Sequence, residues 1–157
     1  MDNSIPVVSK IFCSGTPTML MIRRRPIVVN GGGFVVTDLS HNVVFVVDGC
    51  GILGSKGEIM VKDGEGEPIL FISKKRCGNS FLFQLPFTIG RLALKEENNR
   101  DCTIVDCTRK IVAQMGRKEL IGGKDFYHVE VQSGYDQAFI IGVVAILDNI
   151  HGESTRC

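Results

Sequence analysis

Gly49-Cys50-Gly51-Ile52-Leu53-Gly54 has the G-x-G-x-x-G spacing of a phosphate-cradling loop. With Ser55-Lys56 behind it, the stretch also approaches a nucleotide-binding P-loop whose last two residues stand in the wrong order. Such glycines let backbone N–H groups close on a phosphate, and a following helix turns its N-terminus toward the anion. Here Gly57 and a strand-like run at 59–62 follow at once, and no strand–helix–strand unit occurs in the chain. The motif therefore reads as a loop between hairpins, and no cofactor is expected. Cys102 and Cys107 form a C-x4-C pair. No second pair at zinc spacing and no nearby histidine completes a ligand set, so these thiols read as structural and no metal is expected. Cys13, Cys50 and Cys77 are scattered, and Cys157 ends the chain. His41, His128 and His151 fall in a turn, a strand and the tail, none with a nucleophile or carboxylate beside it. A triad assembled only in space stays open. No catalytic residue is assigned, and the expectation is a protein that is not an enzyme.

Two cationic clusters carry the remaining chemistry: Arg23-Arg24-Arg25 and Lys74-Lys75-Arg76, with Lys56, Lys62, Arg117, Lys118 and Lys124 dispersed. One reading is solvated strand ends and turns. The other is a patch for anionic lipid or phosphate, in which each cation near an acidic membrane surface contributes about 1 kcal/mol.

The balance of 18 Lys and Arg against 17 Asp and Glu leaves a net charge of +1, so no overall basic excess points to nucleic acid as a partner. With 44% hydrophobic and 22% charged residues, the 157-residue chain has the composition of one globular domain rather than a disordered segment. No basic region precedes an apolar stretch at the start, residue 2 is Asp rather than Gly, and the last four residues are not a prenylation box. The longest apolar run, 138–147, is half of the roughly 20 residues that a spanning helix needs. The expected residence is cytoplasmic, at the inner face of the plasma membrane or nuclear, and not secreted. The six cysteines are expected to be reduced.

These residues must be held by a sheet. Phe34-Val35-Val36-Thr37-Asp38, Ile59-Met60-Val61-Lys62-Asp63 and Cys102-Thr103-Ile104-Val105-Asp106 each close on Asp, pass through four turn residues and resume as a second apolar run. An Asp opening a turn can accept backbone N–H groups two residues on. Three such hairpins predict an antiparallel sheet or barrel. Further strands are expected at 18–23, 27–30, 81–85, 91–95 and 125–132. In the last, Tyr127, Val129 and Val131 share one face. The continuous run Val44-Phe45-Val46-Val47 predicts a strand covered on both faces. Gln137 to Ile150 is too long for a usual strand and is apolar on every side, so it predicts a helix, capped near Ser133 or Asp136, that the sheet must surround.

In these segments the chain resembles the plant LURP-one-related proteins of the tubby C-terminal-like superfamily. The resemblance runs through Gly33-Phe34-Val35-Val36-Thr37-Asp38, Asp63-Gly64-Glu65-Gly66-Glu67-Pro68, Arg100-Asp101-Cys102-Thr103-Ile104-Val105-Asp106 and Ile111-Val112-Ala113-Gln114. It is most specific at Val131-Gln132-Ser133-Gly134-Tyr135-Asp136-Gln137-Ala138-Phe139. It implies a mainly β fold: an antiparallel β-barrel, tubby-like, around a buried hydrophobic C-terminal helix, with 1–157 as one domain, 1–12 flexible and 151–157 a tail. Between Arg76 and Asp101 the chain is short by a few tens of residues against the family, so the barrel is expected to be either incomplete or closed by rearranged pairings. Tubby proteins bind phosphoinositide head groups, and phospholipid scramblases are relatives. The resemblance thus implies a non-enzymatic protein of membrane-linked signalling or membrane-tethered transcriptional regulation, associated in some members with plant defence. The alternative is a protein-interaction scaffold without lipid affinity. The family's ligand-contacting residues do not map onto this chain one by one. The lipid patch therefore stands on Arg23, Arg24, Arg25, Lys74, Lys75 and Arg76 as basic residues alone.

Overall fold

The computed structural model describes residues 8–24, 33–48, 58–77, 80–84, 93–98, 101–105, 109–117 and 126–150. A 3-10 turn at Lys10–Phe12 precedes ten strands and one helix. The strands are β1 (Thr18–Arg24), β2 (Gly33–Thr37), β3 (Val43–Asp48), β4 (Glu58–Asp63), β5 (Pro68–Cys77), β6 (Ser80–Gln84), β7 (Ala93–Asn98), β8 (Asp101–Val105), β9 (Ile111–Arg117) and β10 (Phe126–Val131). The helix α1 is Gln137–Ile150, the span its length and periodicity predict.

All ten strands form one sheet in the order β6-β5-β4-β3-β2-β1-β10-β9-β8-β7, every neighbouring pair antiparallel. Two meanders, β1 to β6 and β7 to β10, meet at β1 and β10, where Thr18 faces Val131 and Arg23 faces Phe126. The expected barrel is not closed. Among the described residues the sheet ends at β6 and β7, which do not pair with one another.

Period-2 alternation turns Leu20, Ile22, Phe34, Val36, Phe45, Val47, Ile59, Val61, Leu70 and Ile72 to one face, where they are buried with Val129 and Val131. Into this face packs α1. Ala138, Phe139, Ile140, Ile141, Gly142, Val144 and Ala145 are buried around its circumference, as an all-round apolar helix requires. It lies against β3, β4 and β5. Gly142 marks the close approach: a Cβ there would stand 2.7 Å from Leu70 Cδ2.

The run Val44-Phe45-Val46-Val47 is covered unequally on its two faces: Phe45 and Val47 are buried, and Val44 and Val46 are half-buried, with Val44 packed against the core. Residues 8–12, part of the stretch 1–12 expected to be flexible, make long-range contacts. Val8 and Ser9 donate backbone N–H groups to Asp136, and the Phe12 ring sits 5.5 Å from that of Phe45. Aromatic burial and satisfied hydrogen bonds anchor this stretch. The expected strand at 27–30 lies outside the described residues.

Candidate functional site

β1 ends in the first cationic cluster. Its inward positions are Leu20 and Ile22, so Arg24 follows on the inner side and Arg23 on the outer. Arg23 is exposed. Arg24 is half-buried, its guanidinium carbon 4.4 Å from the centre of the Tyr127 ring. Tyr127 stands on β10, opposite Ile22. A guanidinium over an aromatic face is held by the ring quadrupole, so Arg24 closes the end of the core as well as carrying charge. Arg25 lies outside the described residues.

The second cluster occupies the far half of β5. β4 begins opposite Ser73. Lys74, Lys75 and Arg76 therefore run beyond it and, among the described residues, pair only with β6, opposite Phe83, Leu82 and Phe81. In an antiparallel sheet alternate strands run the same way, so β1, β5 and β9 all finish at one end of the sheet. Arg23, Arg24, Lys74, Lys75, Arg76 and Arg117, the last residue of β9, share that end. The clusters are brought to one end and not into one pocket. β2, β3 and β4 separate them, which is about 19 Å of sheet at roughly 4.8 Å per strand. Lys62 does not add to the set: its Nζ lies 2.6 Å from Oδ2 of the buried Asp48.

The opposite end carries two Asp-headed turns together with the exposed Arg109 and Lys110 of the β8–β9 connection. In the β2–β3 turn, Asp38 Oδ1 accepts the N–H of Ser40 at 2.8 Å and of Asn42 at 3.0 Å. In the β4–β5 turn, Asp63 Oδ1 accepts the N–H of Glu65 at 3.0 Å and of Glu67 at 2.9 Å. The turn signature read from the sequence is thus a repeated structure. In each of the three hairpins the third residue after the Asp has positive φ: His41 at 65°, Gly66 at 89° and Arg109 at 65°. The Asn42 backbone N–H, helped by the Asn42 side chain, the Ser40 N–H and His41, holds the Asp38 carboxyl below the usual aspartate range against an opposing contribution from desolvation.

At this same end Asp136, 1% exposed, caps α1: its Oδ1 accepts the N–H of Phe139 at 3.1 Å. Its Oδ2 accepts from Val8 at 2.7 Å and Ser9 at 3.0 Å. Cys13 bridges to Asp136, Gly134 donates to the Ser14 carbonyl at 2.8 Å, and Gln137 Nε2 donates to Thr18 Oγ1 at 3.1 Å. The capping role is legible in the sequence. The tie to residues 8 and 9 is not, since nothing local connects them.

The gathering of the basic clusters at one sheet end was also missed, although hairpin parity signals it: basic residues close β1, β5 and β9, while Asp48 and Glu96 close β3 and β7 at that same end. His41 is exposed in its turn, and His128 is half-buried on β10. The glycine loop 49–57, Cys107 and His151 fall outside the described residues. Among the described residues, no three His, Cys, Asp or Glu side chains gather as a metal site, and no helix is long and apolar enough to cross a membrane.

The LURP-one-related family model matches residues 18–99 and 86–148. The chain belongs to the LURP-one-related family. Protein LURP-one-related 6 of Arabidopsis thaliana is 39% identical over 190 aligned residues, covering 96% of this chain and 98% of that protein. Protein LURP-one-related 16 of the same plant is 34% identical, covering 97% and 95%. A crystal structure of an Arabidopsis thaliana protein superposes with a TM-score of 0.69 at 27% identity, covering 93% of this chain and 98% of that one. The alignment to LURP-one-related 6 spans more positions than this chain has residues, so that relative carries residues this chain lacks. The two model matches overlap at 86–99, a stretch that includes β7.

Proposed function

We propose that this LURP-one-related chain is a non-enzymatic binding module that attaches to membranes through anionic phospholipid head groups, phosphoinositides included. It would serve membrane-linked signalling or membrane-tethered transcriptional regulation in plant defence. One observation carries the reading: the up-and-down strand order puts Arg23, Arg24, Lys74, Lys75, Arg76 and Arg117 at one end of the sheet and the Asp38 and Asp63 turns at the other. A local gathering of cations can orient a protein at an anionic surface even when the net charge is only +1. Because Arg24 is engaged by Tyr127, exposed Arg23 and the β5 cluster carry the attraction. At about 1 kcal/mol per cation, this supports reversible rather than permanent attachment.

Flotation with vesicles of phosphatidylcholine alone, and of phosphatidylcholine with a phosphoinositide, tests the proposal at two salt concentrations. Binding is expected only to the anionic vesicles. It should fall at the higher salt and be lost when Arg23, Lys74, Lys75 and Arg76 are replaced by Glu, because exposed charges are screened within about 8 Å at physiological ionic strength. No binding, or binding indifferent to salt and to these replacements, leaves the scaffold reading in its place.

A further inference from the structure

The two edges of the open sheet are chemically unlike. β7, with the sequence Ala-Leu-Lys-Glu-Glu-Asn, carries Lys95, Glu96 and Glu97. Charges of this kind on an edge strand oppose pairing with another chain. β6 is Ser80-Phe81-Leu82-Phe83-Gln84, with no charge and no proline. Its inner neighbour is β5, and among the described residues nothing pairs with its other side. Alternate residues of an antiparallel strand direct both N–H and C=O away from the paired side, so among the described residues β6 presents a row of donors and acceptors that no other strand takes up.

We propose that β6 is a homodimerisation edge: two copies of this chain join β6 to β6, antiparallel, and continue one sheet into the other. The sequence of β6 favours a second copy over an unrelated strand. Turned end for end about Leu82, it places Ser80 opposite Gln84, Phe81 opposite Phe83 and Leu82 opposite its own symmetry mate. Every cross-strand pair is then polar with polar or apolar with apolar, and the two aromatic pairs are of the kind that stabilises antiparallel sheets. No like charges meet. The contact is isologous, so it closes at two copies and does not propagate.

Sedimentation velocity of the full chain, from low to high micromolar concentration, provides the test. A concentration-dependent dimer is expected. Leu82→Lys should shift it to monomer while far-UV circular dichroism stays unchanged. A second variant, Leu82→Cys, should form a reducible dimer that the parent with its own six cysteines does not, because residues opposite one another lie within disulfide reach. Should Leu82→Lys fail to fold, the Leu82→Cys result decides alone. A parent that stays monomeric at every concentration, a dimer that survives Leu82→Lys, open-ended higher oligomers or no link through position 82 would each overturn the proposal.

Discussion

Val8 donates its backbone N–H to Asp136 Oδ2 at 2.7 Å, across 128 residues of chain. The same carboxylate accepts from Ser9 and, through Oδ1, from Phe139 in the first turn of α1. One buried side chain therefore ties the chain's beginning to the entry of its central helix.

Removing that carboxylate leaves three backbone donors without their acceptor. Loss of an N-cap costs about 1 kcal/mol, and a buried N–H left unpaired about 1–3 kcal/mol. Asp136→Ala should lower the urea unfolding free energy by at least about 2 kcal/mol. In a variant lacking residues 1–14 the same substitution should cost less, since two of the three donors are already gone. Equal costs in both backgrounds would show that the two hydrogen bonds contribute nothing.

Asp38 predicts a pH dependence. Its folded-state pKa lies below the usual 3.8 because the Asn42 N–H binds the charged form. A depressed pKa adds stability that is present above the unfolded value and is lost as pH falls through the folded one. The stability difference between the native protein and Asp38→Ala should be constant from neutral pH to about pH 5, then shrink on further acidification. Denaturant midpoints measured across that range check it. A difference that grows toward low pH would contradict the hydrogen-bonded turn.

Gly64 and Gly66 share one turn for different reasons. A Cβ on Gly64 would strike the Val43 carbonyl oxygen, which is backbone and cannot swing aside. A Cβ on Gly66 meets nothing within 4 Å, but the residue has φ of +89°. Gly66→Ala should cost about 1–2 kcal/mol, the left-handed penalty alone. Gly64→Ala should cost more, because the β3 and β4–β5 backbones must separate. Thermal and chemical unfolding of the two variants rank them directly.

Around α1, Gly142→Val should destabilise by about 1–3 kcal/mol through overpacking against Leu70 and Ile72. Leu70→Ala should recover part of that loss. Ile140→Ala, at a fully buried position, should cost about 2–5 kcal/mol. Ile141→Asp should yield no folded protein, since an unpaired charge would enter the core. Tolerance of that variant would mean α1 is not the centre of the fold.

Most of the fold is legible in the sequence because its signals are local. Alternation in Phe34-Val35-Val36 and Tyr127-His128-Val129 assigns strands and their inner faces, and a 14-residue apolar segment opened by Asp136 assigns a surrounded helix. Asp38 and Asp63 announce their turns because each carboxylate binds N–H groups only two and four residues away. What tertiary structure alone decided is long-range. The pairing of β1 with β10 and the tie from Val8 to Asp136 join residues more than a hundred positions apart, and no local pattern encodes their contact. That the sheet stays open among the described residues is equally non-local, because it depends on whether strands far along the chain meet at their edges. The basic clusters lay between the two cases. Their residues were visible at once, but strand direction set Arg23 and the β5 cations at a common end. Only the geometry of β10 laid Arg24 over Tyr127, and only the packing of β3 on β4 paired Lys62 with Asp48.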